Sequence, residues 1–221
     1  MKTVEIATGT IPGTYIMPKL MADFRREHPD VYPRVLVCDS LEATRLVETN
    51  MVDLAAVGTL RFLSVGEDEL PFLIKEGFRI GIIGEEELVL VVPPDHELAE
   101  KEEVSVEELK GIDYVNREPG SGTRREVERF LREHGMSFDD FNVVQELGST
   151  DAVIKAVAQG AGVSIVSEIA AQDYAEKGDV VVVRLKERPK RKLYAIRAKE
   201  PKNPDLADEV FEFIVEEELE P

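Results

Sequence analysis

The segment VEIATGTIPGTYIMPKLMADFRREHPDV, residues Val4–Val31, decides the fold class, because a strand, a glycine-containing turn and a helix follow one another in it. Residues 4–9 have the composition of a strand that runs into a turn of small residues. Ile16, Leu20, Met21 and Phe24 then recur with the spacing of one face of a helix. A strand followed at once by a helix is the repeating unit of parallel α/β sheets.

The strand and helix pattern continues on the C-terminal side of this segment. A second strand is predicted at Pro33–Asp39, a helix begins at Ser40, and a third strand is predicted at Met51–Thr59. The apolar residues of the third strand are nearly continuous, as in a parallel strand that is covered on both faces. Residues 1–60 therefore predict a β-α-β-α-β unit with right-handed crossovers.

A second series of strands and helices follows, so the chain contains two successive α/β halves. The apolar segment Glu87–Val92 is the expected junction, and a strand at this place makes the connection a short hinge. Ser105 followed by Glu108 predicts a capping box at a short helix. A ligand cleft between the two halves is the expectation for such an arrangement. The other predicted elements are strands at Asp113–Arg117, Asn142–Leu147, Asp179–Leu185 and Lys192–Ala198, helices at Ser121–Gly135, Ser149–Gly162 and Pro204–Glu220, and a strand leading into a helix at Val163–Glu176.

Charge and composition exclude several classes of function. The chain has 27 Lys and Arg against 45 Asp and Glu, a net charge of −18, which repels nucleic acid and anionic membrane surfaces. Cys38 is the single cysteine, so neither an intrachain disulfide nor a cysteine zinc cluster is expected, and Cys38 itself is interpreted as a buried structural thiol. No signal segment or membrane-spanning run is visible, so we expect a cytoplasmic protein without direct contact to nucleic acid or membrane.

Small polar residues stand at the points where strands pass into helices. Helix N-termini present free N–H groups and a partial positive charge, and glycine lets a ligand approach the backbone. Arg117 and Arg124 bracket the cluster in the second half, and each guanidinium offers a planar fork to an oxyanion. The alternative is that Ser121 or Thr123 only caps the helix while the arginines pair with Glu118, Glu126 or Glu128. The residues at these junctions are Thr8, Gly9, Thr10, Ser40, Gly58, Thr59, Ser121, Gly122, Thr123, Ser149 and Thr150.

Motifs of catalysis and of cofactor binding are absent from the sequence. There is no phosphate-binding loop, no G-x-G-x-x-G and no G-x-S-x-G. His28, His96 and His134 have polar neighbours and no metal-ligand spacing, so we expect surface histidines, no metal and no cofactor. Arg125, Arg129 and Arg132 are expected to pair with glutamates on one solvated helix face.

Four segments together resemble the effector-binding domain of LysR-type transcriptional regulators. The first is Val4–Val31, quoted above, and LVLVVPPDHELAEKEEVSVEEL (88–109) is similar to that family's crossing strand, its Pro-x-x-His turn and the short helix after it. NREPGSGTRREVERFL (116–131) and LGSTDAVIKAVAQGAGVSIVSEIAA (147–171) continue the likeness, which spans roughly Val4 to Arg197. The resemblance implies an α/β type 2 periplasmic-binding-protein fold, in which two Rossmann-like lobes are joined by two crossover strands.

The resemblance also implies a domain division and a site. Lobe I would comprise residues 1–88 plus 187–221, lobe II residues 89–186, and the effector would lie in the cleft between them. GSGT after an arginine is also similar to the oxyanion loop of phosphate-binding members of the wider fold, which favours an inorganic oxyanion or a small carboxylate. The ligand-binding residues would be Thr8, Gly9, Thr10, Ser40, Thr59, Arg117, Ser121, Gly122, Thr123, Arg124 and Ser149.

The chain departs from that family in beginning at the first sheet strand, without a winged helix-turn-helix. It is therefore expected to be either a fragment of a DNA-binding regulator or a free-standing sensor or solute-binding protein of the cytoplasm. Family members often pair through the first helix and second strand of one copy and a second-lobe helix of the other, and a homodimer is expected here because Ile16, Leu20 and Phe24 could supply apolar surface.

Two other functions stay open at this stage. An enzyme on the same two-lobe fold, acting on a carboxylated substrate, would need an acid or base from Asp39, Asp53, Asp151 or Glu168, each interpreted as a cap or surface carboxylate. An interaction scaffold would instead have its cleft filled by its own side chains. The sensor interpretation is the one that the recurring small-residue junctions favour.

Overall fold

The computed structural model describes residues 2–63 and 77–216, and the chain divides into two compact units. Unit 1 comprises Met1–Glu85 and Lys192–Pro221, and unit 2 comprises Glu86–Arg191. Strands β4 (Arg79–Val92) and β10 (Lys190–Arg197) each pass from one unit to the other, so both passages of the chain are extended segments.

Unit 1 is an α/β sheet in which β1 lies between β2 and β3, parallel to both. Strand β10 continues this sheet as the antiparallel neighbour of β3. The β-α-β-α-β order predicted from residues 1–60 is present. A π-helical turn at Pro12–Ile16 precedes the first helix. The element bounds are β1 Lys2–Thr8, α1 Met17–Glu27, β2 Val31–Val37, α2 Ser40–Glu48, β3 Leu54–Val57, β10 Lys190–Arg197 and α6 Pro204–Glu216. Predicted helix residues 217–220 lie outside the described residues.

The apolar face of α1 is buried within the chain. Ile16, Leu20 and Phe24 have exposures of 2%, 2% and 0%. The helical spacing is therefore confirmed, but the expectation that these three side chains supply dimer surface is wrong, because they pack into the core of the chain itself. The exposed large apolar residues of unit 1 include Tyr32, Leu36 and Val37 of β2.

Unit 2 contains β4, which runs antiparallel to β8 and β9, and a separate parallel pair, β6 and β7. Short 3-10 turns lie at Glu97–Glu100, Val106–Leu109 and Phe138–Asp140. An apolar cluster that includes Leu90, Tyr114 and Phe130 joins the helices and strands. The element bounds are β4 Arg79–Val92, β5 Glu103–Val104, β6 Asp113–Arg117, α3 Gly122–Glu133, β7 Asn142–Leu147, α4 Thr150–Ala158, β8 Ser164–Ser167, α5 Glu168–Lys177 and β9 Val181–Leu185.

Strand β4 is continuous through the three glutamates that separate its two apolar runs in the sequence. Glu86 is only 6% exposed, and its Oε1 accepts a hydrogen bond of 2.7 Å from Nε of Arg191, which is 4% exposed. The Ser167 hydroxyl donates to Oε2 of the same carboxylate. A buried carboxylate is stable only when it is paired in this way, so the strand continues because Arg191 and Ser167 compensate the charge.

Local capping signals in the sequence correspond to the observed helix ends. Ser105 and Glu108 form the predicted capping box. Gly135, just beyond α3, has φ +69°, the left-handed conformation that glycine adopts most readily. Helix α2 begins at Ser40 as predicted, but the capping side chain is that of Asp39, whose Oδ1 accepts from the amide of Glu42 at 2.7 Å.

Candidate functional site

Three strand-to-helix or strand-to-loop junctions meet at one edge of unit 1. Thr8, the last residue of β1, is in register with Val37 of β2 and Ala56 of β3. The Gly9 amide donates to the Ala56 carbonyl at 2.8 Å, and the Cys38 amide donates to the Thr8 carbonyl at 2.9 Å. The residues that follow these strands are therefore neighbours, as expected for the carboxyl edge of a parallel sheet.

The predicted residues of this edge are closely packed and uncharged. Thr8, Ser40 and Thr59 are each less than 5% exposed, Gly9 is buried and Thr10 is half-buried. A Cβ atom at Gly9 would lie 2.7 Å from Oγ of Ser40. Glycine is required there because the backbone of the first turn passes directly against the start of α2. We call Thr8, Gly9, Thr10, Ser40 and Thr59 the neutral junction.

Two hydroxyls of the neutral junction also have hydrogen-bond partners in the chain. Oγ1 of Thr8 donates to the Leu36 carbonyl at 3.4 Å, and Oγ1 of Thr59 accepts from the Arg61 amide at 3.2 Å. A hydroxyl that donates its proton keeps lone pairs for a second donor. The neutral junction can therefore offer a hydrogen-bond acceptor without any formal charge.

Cys38 lies beside the neutral junction. Its side chain is half-buried, not fully buried as expected, and its Sγ donates to the Thr8 carbonyl at 3.6 Å. Burial, helped by the charges of Asp39 and Glu42, raises the pKa of the thiol to about 11. The thiolate is the reactive form of cysteine, so Cys38 is a weak nucleophile at neutral pH.

Two strand-to-helix junctions meet in unit 2, where β6 and β7 end side by side. Arg117 is in register with Leu147, and the Glu118 amide donates to the Leu147 carbonyl at 3.2 Å. Ser121 caps α3 by accepting from the Arg124 amide, and Ser149 caps α4 by accepting from the Ala152 amide. The N-termini of both helices therefore lie at the same edge of the β6–β7 pair.

Arg117 is the buried charged residue of this edge, at 3% exposure. Its Nε and Nη2 donate to the two carboxylate oxygens of Glu118 at 2.8 and 2.7 Å, which is a two-point fork. Its Nη1 donates to Oγ1 of Thr150, in the first turn of α4, at 2.5 Å. The guanidinium therefore connects the end of β6 to the start of α4.

Arg124 has a second set of partners on the same side of α3. Its Nη1 donates to the Arg117 carbonyl and to Glu146, both at 2.6 Å, and its Nε donates to Glu128 at 3.1 Å. We call Arg117, Ser121, Gly122, Thr123, Arg124 and Ser149 the charged junction. Of its hydroxyl residues, Ser121 and Thr123 are buried, at 1% and 3% exposure.

The pairing of arginines with glutamates that the sequence left open is present. Arg117 pairs with Glu118 and Arg124 with Glu128. Farther along α3, Arg129 pairs with Glu126 and Glu133, while Arg125 pairs with Glu128, as expected for i,i+3 and i,i+4 neighbours.

Two residues that contact the charged junction, Thr150 and Glu118, are not among the predicted ligand-binding residues. Thr150 was grouped with Ser149 as a small residue, but it is the residue that binds the Arg117 guanidinium. The sequence offers Glu118 as a partner for arginines on a helix surface. In the structure it pairs with the buried Arg117 guanidinium at the end of a strand. The sequence gives one signal for each of them, because Thr150 directly follows Ser149 and Glu118 directly follows Arg117.

The four carboxylates considered for an enzyme all have structural partners. Asp39 caps α2, and Glu168 pairs with Arg184 at 3.1 Å. Asp151 pairs with Lys155 at 2.7 Å and accepts from the Tyr174 hydroxyl, and these contacts lower its pKa. Asp53 was interpreted as a cap or surface carboxylate, which is wrong. It is 1% exposed, and its oxygens accept from the amides of Glu5 and Lys202 at 2.8 and 2.7 Å.

The three histidines contact other parts of the chain, and His134 lies at the C-terminal end of α3, where its Nδ1 is 2.8 Å from the Phe130 carbonyl. His28 stacks on Phe24 and is 3.2 Å from Glu209, and His96 caps the turn Glu97–Glu100. Within the described residues no group of three or more His, Cys, Asp or Glu side chains could hold a metal ion. Nor is any helix in that part of the chain long and apolar enough to cross a membrane.

Comparison with known proteins gives the family. The LysR substrate binding domain matches residues 1–218. The chain belongs to this family. It is a LysR-type effector-binding domain, a module of transcription regulators, and the expected α/β fold of the type 2 periplasmic-binding-protein kind is confirmed.

Among curated relatives, the chain is 35% identical over 212 residues to an uncharacterised HTH-type transcriptional regulator of Methanocaldococcus jannaschii. That alignment covers 96% of this chain and 67% of the relative. The chain spans only 34% to 53% of the length of several other curated relatives.

Two solved LysR effector-binding domains have the same fold. The CcmR regulatory domain of Synechocystis PCC6803, in complex with 2-PG, superposes with a TM-score of 0.82 and 21% identity, covering 99% of this chain and 98% of that domain. The effector-binding domain of QuiR, in complex with shikimate, superposes with a TM-score of 0.81 and 18% identity. This match covers 98% of this chain and 96% of that domain.

Proposed function

We propose that the chain senses a small anionic effector, an inorganic oxyanion or a small carboxylate, and does so without turnover. The observation that carries this proposal is the charged junction, where a buried guanidinium and the starts of two helices lie at one edge of unit 2. Helix N-termini and arginine forks are the two devices that proteins use most directly to hold anions.

The overall charge makes these local devices necessary. At −18 the chain repels anions at long range, so an anionic effector must be held by short-range contacts in a place of locally positive potential. The same charge favours a sensor whose DNA contacts are made by another part or partner of a regulator.

The ligands of the two solved relatives support the same chemical class. Shikimate carries a carboxylate, and 2-phosphoglycolate, the 2-PG of the other complex, carries a carboxylate and a phosphate. The M. jannaschii relative is named as an HTH-type regulator, which supports transcription control as the output and the cytoplasm as its place.

In this proposal both the neutral junction of unit 1 and the charged junction of unit 2 take part in effector binding. The neutral junction would supply shape and hydroxyl contacts, and the charged junction would compensate the negative charge. Each junction then contributes to the affinity for the same molecule, which can be tested one hydroxyl at a time.

A thermal-shift panel tests the ligand class. Phosphate, sulfate, 2-phosphoglycolate, shikimate and dicarboxylates would be added at high concentration. A ligand at about a thousand times its Kd adds about 4 kcal/mol to the unfolding free energy of the native state, so one panel member should raise the melting temperature by several degrees. A panel in which no anion shifts the melting temperature would reject the proposal.

Single-hydroxyl variants then test the shared site. Ser40→Ala in the neutral junction and Thr123→Ala in the charged junction should each weaken the binding of the panel ligand about ten- to a hundredfold, the worth of one hydrogen bond to a charged group. Thr49→Ala is the matched control for Ser40→Ala, because Thr49 carries an exposed hydroxyl at the opposite end of α2. If only one of the two junctions affects the affinity, the effector site belongs to that unit alone.

We also propose a homodimer that uses β2. Strand β2 is an edge strand of its sheet, and Tyr32, Leu36 and Val37 are 45%, 51% and 46% exposed on it. An exposed edge with three large apolar side chains favours association. Sedimentation analysis should give a dimer that Leu36→Glu converts to monomer; a wild-type monomer at all concentrations would contradict the proposal.

A further inference from the structure

Glu118 holds the Arg117 guanidinium in the way that an effector carboxylate or phosphate would hold it. Two parallel N–H donors of Arg117 meet the two oxygens of one carboxylate at 2.8 and 2.7 Å. This two-point geometry is the one that makes arginine selective for planar and tetrahedral oxyanions. The recognition group of the charged junction is therefore already occupied, and its occupant is a side chain of the same unit.

The two partners of this fork differ in their access to water. The Arg117 side chain is 4% exposed, whereas that of Glu118 is 21% exposed. A carboxylate that reaches water is hydrated when it leaves the pair, whereas a buried guanidinium gains no such compensation. Glu118 is thus the partner that can be exchanged, while Arg117 stays fixed by Thr150.

The backbone around Glu118 allows the side chain to leave without unfolding the junction. The Glu118 amide is bonded to the Leu147 carbonyl, and the Glu118 carbonyl accepts from the Ser121 amide at 3.0 Å, so the main chain is held from both sides. Rotation about the side-chain bonds alone would release the carboxylate. The two helix N-termini that remain keep the potential at the fork positive.

We infer that Glu118 is an internal competitor, which occupies the Arg117 fork in the empty protein and is displaced by the anionic group of the effector. This inference rests on the proposed function and adds to it a residue that sets the affinity threshold. Displacement replaces the Glu118 carboxylate by the anionic group of the ligand at the same N–H donors of Arg117. A weakly bound or monodentate anion therefore gains no binding free energy from the exchange. Only a ligand that binds the fork better than Glu118 does would be retained.

Isothermal titration with inorganic phosphate and with sulfate tests the inference on the full chain. Glu118→Gln removes the competing charge and keeps the size of the side chain, and it should bind at least one of these ions about tenfold more tightly than the wild type. Glu133→Gln is the matched control, since it changes the net charge equally and also removes a carboxylate from an arginine, Arg129. The control should bind like the wild type.

A second variant separates recognition from folding. Arg117→Lys on the Glu118→Gln background keeps the positive charge but lacks the two-point fork, so the gain in affinity should disappear. If Glu118 only stabilises the fold, Glu118→Gln lowers the melting temperature and leaves the affinity for both ions unchanged, which overturns the inference.

The outcomes also separate this inference from the proposed function. If the wild type binds a member of the effector panel but Glu118→Gln gains no affinity for phosphate or sulfate, the internal competitor is rejected and the sensor proposal stands. If neither the wild type nor the variant binds any anion, the inference and the proposed function both fail.

Discussion

The two units handle buried polarity in opposite ways. In unit 1 the buried carboxylate of Asp53 is held by two backbone amides, and the neutral junction contains only hydroxyls and glycine. In unit 2 the buried carboxylate of Glu86 is held by a guanidinium, and the charged junction depends on Arg117 and Arg124.

The difference teaches where selectivity can arise in each unit. Backbone amides and close-packed small residues have fixed positions, so unit 1 can discriminate by shape. Paired charges can exchange partners, so unit 2 can respond to the charge of a ligand. Three predictions test this contrast.

The largest effect is expected at the buried charge of unit 2. Glu86→Gln leaves the Arg191 guanidinium buried without a counter-charge and should lower the unfolding free energy by about 3–5 kcal/mol. Urea denaturation measures it as a lower midpoint. Asp53→Asn is the matched variant in unit 1, where no guanidinium is stranded, and about 1–3 kcal/mol is expected. Equal losses would contradict the contrast.

A smaller effect is expected from adding one methyl group at a glycine in each unit. Gly13→Ala places a Cβ into contact with Oγ1 of Thr8 and within 2.8 Å of a Val37 methyl, so about 1–3 kcal/mol of stability should be lost. Gly148→Ala, between β7 and Ser149, meets nothing within 4 Å and should change the stability by less than about 0.5 kcal/mol. Thermal melting of the two variants checks both values, and a larger loss for Gly148→Ala would show that unit 1 is the looser one.

The smallest effect is expected in acid, at the capping box of unit 2. Hydrogen bonds from Lys101 and then from Ser105 lower the pKa of Glu108 from 4.5 to about 2. A carboxyl whose folded pKa is lowered stabilises the fold above its unfolded pKa, and that contribution is lost as the pH falls towards the folded value. Glu108→Gln should therefore flatten the decline of the melting temperature between about pH 4.5 and 2.

The control for the acid experiment lies in unit 1. The pKa of Glu5 is also lowered, first by its hydrogen bond to Lys202. Glu5→Gln should likewise reduce the loss of stability below about pH 4.5, and the two effects should add because the sites share no partner. A curve that Glu108→Gln leaves unchanged would rule out the capping box as an acid-sensitive element.

Local signals predicted most of the fold but little of the pairing. The spacing of Ile16, Leu20, Met21 and Phe24 gave the helix and its buried face, because helical periodicity is a property of neighbouring residues. The periodicity does not identify the residues that cover this face. The sequence therefore predicts a dimer surface at residues that lie in the core.

Partners distant in sequence explain the remaining differences. No residue near Glu86 in the sequence indicates that Arg191, on another strand, compensates its charge, so the sequence predicts an apolar junction only at Glu87–Val92 and not one strand from Arg79 to Val92. At the charged junction the cap of Ser121 was readable from the sequence, whereas the bond from Arg117 to Thr150 depends on the pairing of β6 with β7. Such contacts follow from the sheet arrangement and have no local signature.

The ion pair of Glu86 with Arg191 has a consequence for how the chain can be divided. These are the first and last residues of unit 2, so the ends of the segment 86–191 are already bonded to each other. Unit 2 is thus a contiguous insertion with adjoining ends, which is the arrangement that tolerates excision as a single gene fragment. Unit 1 would need a new peptide bridge from residue 85 to residue 192 before it could be expressed alone.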